Sequence, residues 1–96
     1  MFARMMFVRL RPGSRYQGEK LAARWQAGVA TLPGFVSVSF FGDEERGEYG
    51  YFSLWETRED AERVPRDLGE PVSAALAELA VAKPEVRIYG VYQPPG

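Results

Sequence analysis

The chain has 96 residues, 46% of them hydrophobic and 26% charged, and a formal net charge of −1. That is the profile of one ordinary globular domain with no general attraction to nucleic acid or anionic lipid. Cysteine and histidine are both absent, which excludes disulfides, thiolate and imidazole metal sites, a thiol nucleophile and the usual general base near neutral pH.

From Ala3 to Arg11 the residues alternate, with Met6, Val8 and Leu10 on one side and Met5, Phe7, Arg9 and Arg11 on the other. Period two predicts a strand, and Pro12-Gly13 stops it. Ser14 with Gln17 three residues on has the form of a capping box. From Arg15 to about Ala30 the period becomes helical, with Leu21, Trp25, Val29 and Leu32 on one stripe.

Leu32-Pro33-Gly34 is a turn. Two strands follow, joined by the charged connection from Gly42 to Glu48. In the first, Val36, Val38 and Phe40 share a face opposite Phe35, Ser37, Ser39 and Phe41. In the second, Phe52 and Leu54 oppose Tyr51, Ser53 and Trp55. Thr57 is placed to cap another helix, with Asp60 at the capping-box position. Pro65 disfavours helical geometry at Val64 and predicts an early end to that helix. A polar break from Arg66 to Glu70 is expected, then a helix led by Pro71 with Val72, Ala75, Leu76 and Leu79 as its stripe. Glu85 to Tyr92 is the last strand, and Pro94-Pro95-Gly96 a frayed end.

The order β-α-β-β-α-β predicts an α+β fold, a ferredoxin-like sandwich in which a four-stranded antiparallel sheet carries helices on one face. One domain spans residues 1–96, with an ordered core over about 3–92. Such a sheet alternates apolar inward and polar outward, but here the central strands are apolar on both sides. Once helices cover one face, the other exposes a patch that calls for a partner. A homodimer through the sheet face is the expectation. Arg9 and Arg11 interrupt the apolar start of the chain, and no run approaches the roughly 18 apolar residues of a membrane span. A soluble, cytoplasmic protein with no nucleic-acid or membrane partner is expected.

The order of elements resembles the antibiotic biosynthesis monooxygenase (ABM) superfamily from about Met6 to Tyr92. The RPG at Arg11 to Gly13, the PGF at Pro33 to Phe35 and above all the LWET at Leu54 to Thr57 carry that resemblance. It implies a dimeric α/β barrel whose two sheets face each other, with a pocket between sheet and helices in each subunit. Some members oxidise polycyclic aromatic compounds with molecular oxygen and no cofactor; others bind and open haem. The haem-degrading pattern of an Asn on the first strand and a His in the following helix is not met. Met6 stands at the first position, and the chain contains neither residue type.

Periodicity alone turns Val36, Val38, Phe40, Phe52 and Leu54 toward the helices. The resemblance turns the Trp55 face there, with Tyr51, Ser53 and the serines Ser37 and Ser39, and makes the aliphatic set the dimer interface. On that reading the pocket-lining candidates are Trp55, Tyr51, Ser53, Met6 and Trp25, and the interface candidates are Val36, Val38, Phe40, Phe52 and Leu54. Trp25 and Trp55 are aromatic walls or core residues with satisfied indoles. Arg9 and Arg11 could steady a phenolate, though solubility or an edge salt bridge explains them as well. Tyr16, Tyr51, Tyr89 and Tyr92 could donate to a substrate oxygen, or pack at strand edges. The acidic cluster Asp43, Glu44, Glu45 and Glu48 reads as a solvated turn and not a metal cage. The resemblance implies a cofactor-independent monooxygenase for a small aromatic or polyketide-like molecule. The alternative is a non-catalytic ligand-binding or scaffold dimer, and neither calls for a cofactor or a metal.

Overall fold

The computed structural model describes residues 1–68 and 70–95, side chains at 65–68 and 70–73 excepted. Its elements are β1 (Phe2–Arg9), α1 (Arg15–Val29), β2 (Phe35–Asp43), β3 (Glu48–Trp55), α2 (Arg58–Leu68), α3 (Glu70–Leu79) and β4 (Glu85–Gly90). The strands form one antiparallel sheet in the order β2-β3-β1-β4. This is the expected ferredoxin-like sandwich. Trp25, Val29, Tyr51, Trp55, Ala61 and Val64 form its core between sheet and helices.

The PGF and LWET motifs meet in space. The Glu56 N–H donates to the Gly34 carbonyl at 2.9 Å, and Gly34 takes a φ of 80° that an L-residue reaches only with strain. The Asp60 side chain packs where a Cβ on Gly34 would stand. Thr57 caps α2 as expected, its Oγ1 accepting from the Asp60 N–H at 3.1 Å. Ser14 does not act that way. It is buried at the start of α1 and makes no side-chain cap bond.

Two further expectations give way. Pro65 does not end α2, which continues to Leu68. The predicted polar break from Arg66 to Glu70 is therefore mostly helical, and Gly69 lies outside the described residues. A proline inside a helix removes one backbone donor and leaves the carbonyl four residues earlier without its partner. That carbonyl belongs to Ala61, and Arg4 Nη1 donates to it at 3.2 Å. A cation from the sheet thus replaces the missing helical bond.

The second correction concerns β2. A register shift between Phe35 and Ser37 inserts Val36 as an extra residue. Phe35 pairs with Trp55, Val38 with Ser53 and Phe40 with Tyr51, while Ser37 and Ser39 pair with Leu54 and Phe52. One inserted residue exchanges the faces of everything on one side of it. Val38 and Phe40 therefore join the Trp55 face, under the helices. The outer face receives Ser37, Ser39 and Phe41 beside Phe52 and Leu54.

Candidate functional site

Between the sheet and α1, α2 and α3 lies a cavity of about 570 Å³, within the usual range for a small-molecule site. Met6 and Val8 of β1, Leu21 and Ala22 of α1, Val64 of α2, Leu76 of α3 and Val86 of β4 give it apolar walls. Leu21 and Leu76 come from the stripes that periodicity assigned to these helices. Arg15 and Glu19 stand at its rim, joined at 2.9 Å, and Arg15 reaches on to Glu44 at 3.3 Å.

One wall is aromatic. Trp25 stacks on Tyr51 with ring centroids 4.1 Å apart and planes 28° from parallel. Phe40 meets Trp25 edge-on at 6.0 Å. All three line the cavity. Such offset and edge contacts hold the rings in fixed orientations, so a flat molecule entering here meets a rigid surface.

The polar end of the cavity is Arg4 with Tyr51. Arg4 is only 7% exposed and Tyr51 4%. Arg4 Nε donates to the Tyr51 hydroxyl oxygen at 3.0 Å, and Nη1 to the Ala61 carbonyl. Nη2 makes no hydrogen bond to a described residue, and no carboxylate among the described residues pairs with Arg4. Because the Tyr51 oxygen already accepts from Arg4, its own hydrogen is available to another acceptor. Burial pushes the Tyr51 hydroxyl above its ordinary value, with the charge and hydrogen bond of Arg4 acting against that rise. Tyr51 is therefore a protonated donor at neutral pH and not a base.

Behind this pair runs a second buried chain. The Trp55 indole N–H donates to Ser53 Oγ at 3.0 Å, and Ser53 Oγ donates to the Arg4 carbonyl at 3.1 Å. Trp55 and Ser53 are fully buried and do not line the cavity. Trp55 packs against Phe35 with centroids 5.7 Å apart. Of the five pocket candidates, the structure brings Met6, Trp25 and Tyr51 to the cavity and places Trp55 and Ser53 one layer behind it.

The interface candidates divide as well. Phe52 and Leu54 lie on the outer face and Val36 is exposed at the bulge, whereas Val38 and Phe40 face the helices. Arg9 and Arg11 are exposed and turned to other work. Arg9 pairs with Glu48 at 3.3 Å, and Arg11 donates to the Glu78 carbonyl. Tyr16, Tyr89 and Tyr92 are exposed and absent from the cavity lining. No group of three or more acidic side chains that could hold a metal occurs among the described residues.

Sequence reasoning missed Arg4, although its parity gave a signal. Arg4 is in step with Met6 and Val8, so an arginine stood on the apolar side of the first strand.

No protein-family model matches the sequence, nor does any curated protein. Solved structures do match it. A variant of SnoaB, a cofactor-independent oxygenase from Streptomyces nogalater, is 22% identical with a TM-score of 0.78, over 96% of this chain and 93% of that one. Rv0793 from Mycobacterium tuberculosis is 17% identical with a TM-score of 0.78, over 99% and 98%. A protein described as an antibiotic biosynthesis monooxygenase is 10% identical with a TM-score of 0.81, over 97% and 100%. At these identities the likeness is one of fold.

Proposed function

We propose that the protein is a cofactor-independent monooxygenase for a small aromatic or polyketide-like molecule. The observation that carries this reading is an apolar, aromatic-walled cavity closed at one end by a buried arginine–tyrosine pair. The fold shared with a cofactor-independent oxygenase supports it. In such a reaction an activated CH₂ group is deprotonated, and the carbanion gives one electron to O₂. The radical pair joins as a hydroperoxide, and loss of water leaves the ketone, so that R₂CH₂ and O₂ become R₂CO and H₂O. The chain supplies two conditions for this. Arg4 and the Tyr51 hydroxyl stabilise the oxygen that bears the charge of the carbanion, and the apolar walls keep water from the radical pair.

With Tyr51 held protonated and no histidine in the chain, the substrate has to be acidic enough to enter as its anion. The same feature favours a second reading, a non-catalytic binder of such an anion. An oxygen electrode separates the two. With a hydroxylated anthrone, uptake of one O₂ per quinone formed, without flavin, haem or metal, is expected. Arg4→Gln should lower the rate about 100-fold, the usual effect of losing an oxyanion donor. Binding without uptake supports the binder; uptake that Arg4→Gln leaves unchanged removes Arg4 from the chemistry.

The outer sheet face supports assembly as a homodimeric barrel. Phe7 and Phe41, 44% and 42% exposed, pair there with centroids 5.5 Å apart. Met5, Phe52, Leu54 and Tyr89 extend the patch by register. A second copy of this face is its natural cover.

A further inference from the structure

The cavity's polar end carries more information than a general preference for anions. A guanidinium removed from water costs several kcal/mol unless a negative charge meets it, and no carboxylate among the described residues does so for Arg4. Its Nε and Nη1 are engaged by Tyr51 and Ala61. Among the described residues two groups are left with hydrogens to donate: Nη2 of Arg4, which carries two N–H bonds beside the second one of Nη1, and the Tyr51 hydroxyl, which carries one. They lie side by side, because the tyrosine oxygen is itself bonded to Arg4 Nε at 3.0 Å. The side chains that carry them are held in place. Stacking on Trp25 fixes the Tyr51 ring, and the Ala61 carbonyl fixes the guanidinium.

We infer that this end of the cavity takes two oxygen atoms sharing one negative charge. A single oxygen can accept from both groups but leaves further N–H bonds of the guanidinium unmet, whereas two oxygens on one carbon, or on carbons one atom apart, meet more of them and share the charge. The ligand class is therefore an apolar ring system bearing a carboxylate or its vinylogous equivalent, the enolate of a β-dicarbonyl. Its rings lie along Trp25 and Phe40. The inference rests on the reading of this cavity as the site for a small aromatic anion, and narrows it to anions whose charge is shared by two oxygens.

Titration at neutral pH, by calorimetry and by quenching of Trp emission, tests this with three probes. Naphthoate carries the carboxylate, the anion of an acylated indanedione carries the β-dicarbonyl, and naphthylmethanol has the rings without the charge. At least one anion is expected to bind about tenfold or more tighter than the alcohol, the range for a hydrogen bond to a charged group. Tight binding of naphthoate alone assigns the carboxylic acid, and of the dione alone the acidic dicarbonyl. Arg4→Gln should erase the preference, lowering the affinity for the anions about tenfold or more and that for the alcohol far less. Tyr51→Phe keeps the ring on Trp25 and should weaken the anion severalfold and the alcohol less, an independent check if Arg4→Gln does not fold. Equal affinity of alcohol and anions in the wild-type protein overturns the two-oxygen inference and leaves the aromatic-ligand reading intact. Failure of all three probes to bind overturns both.

Discussion

Arg4 reaches diagonally across the sheet to Tyr51. Its backbone partner on β3 is Ser53, yet its Nε meets the hydroxyl of Tyr51, two residues along that strand. Three features of the chain hold that geometry. Pro65 leaves the Ala61 carbonyl without its helical donor, and Nη1 takes it; Trp25 stacks on the Tyr51 ring; and Ser53 grips the Arg4 backbone. A strand, two helices and the sheet's central pair thus converge on one cation.

Replacing Tyr51 by Phe keeps the aromatic stack and removes the acceptor of Arg4 Nε. A buried charged donor left without a partner costs about 1–3 kcal/mol. Urea unfolding should show a lower midpoint at unchanged m-value. A midpoint equal to that of the wild type would mean that Arg4 finds another acceptor.

Alkaline pH should act on the same residue. The ordinary tyrosine value is 10.0, and burial raises Tyr51 above it in the folded chain. Between the two values the folded state holds a proton that the unfolded state has lost, so stability falls as pH rises through that window. Below the ordinary value the contribution is complete. Urea midpoints measured upward from there should fall more steeply for the wild type than for Tyr51→Phe. Parallel curves would show that Tyr51 ionises as readily folded as unfolded.

Much of this arrangement was legible in the chain, and the remainder failed for identifiable reasons. The Thr57 cap and the Leu21, Trp25, Val29 stripe are local patterns, and both appear as read. The faces of β2 were not recoverable from alternation, because alternation assumes an unbroken period of two and Val36 interrupts it. Pro65 was read by the backbone rule alone. The compensating donor comes from a residue 61 positions earlier in the chain, which no local pattern displays. Trp55 carried the resemblance, but its indole is spent on Ser53, and the cavity-facing polar residue is Arg4.

Ser53 is the joint between Trp55 and Arg4. Ser53→Ala removes the acceptor of the Trp55 N–H and the donor to the Arg4 carbonyl together. With both groups buried, a loss of about 1–3 kcal/mol in unfolding free energy is expected. Denaturant unfolding of Ser53→Ala checks it. Ser53→Thr, which keeps the hydroxyl, should recover part of the loss unless its extra methyl group strains the site.

Gly13 and Gly34 allow backbone strain to be separated from close packing. Both have positive φ, 78° and 80°, but a Cβ at Gly13 meets nothing while one at Gly34 falls on the Asp60 side chain. Gly13→Ala should cost only the left-handed penalty, about 1–2 kcal/mol. Gly34→Ala adds the displacement of Asp60, which holds Arg63 at 2.9 Å. It should therefore be the more destabilising in thermal or urea unfolding. Equal losses would show that Asp60 yields freely.

Assembly is tested at Phe41, which has one foot in each proposal. Its ring pairs with Phe7 on the outer face, while the residue also borders the cavity at the end of β2. If the outer faces of two copies pack together, sedimentation at micromolar concentration should give a species of twice the 10.8 kDa chain mass. A charge placed at the centre of such an apolar contact is left unpaired and buried, at a cost large enough to dissociate it. Phe7→Lys lies on that face and outside the cavity lining, so it should yield monomer with the Trp25–Tyr51 wall intact. Phe41→Lys should yield monomer and weaken ligand binding too. A wild-type chain that sediments at its own mass would leave the outer face without the partner proposed for it, and the cavity would then have to work within a single copy.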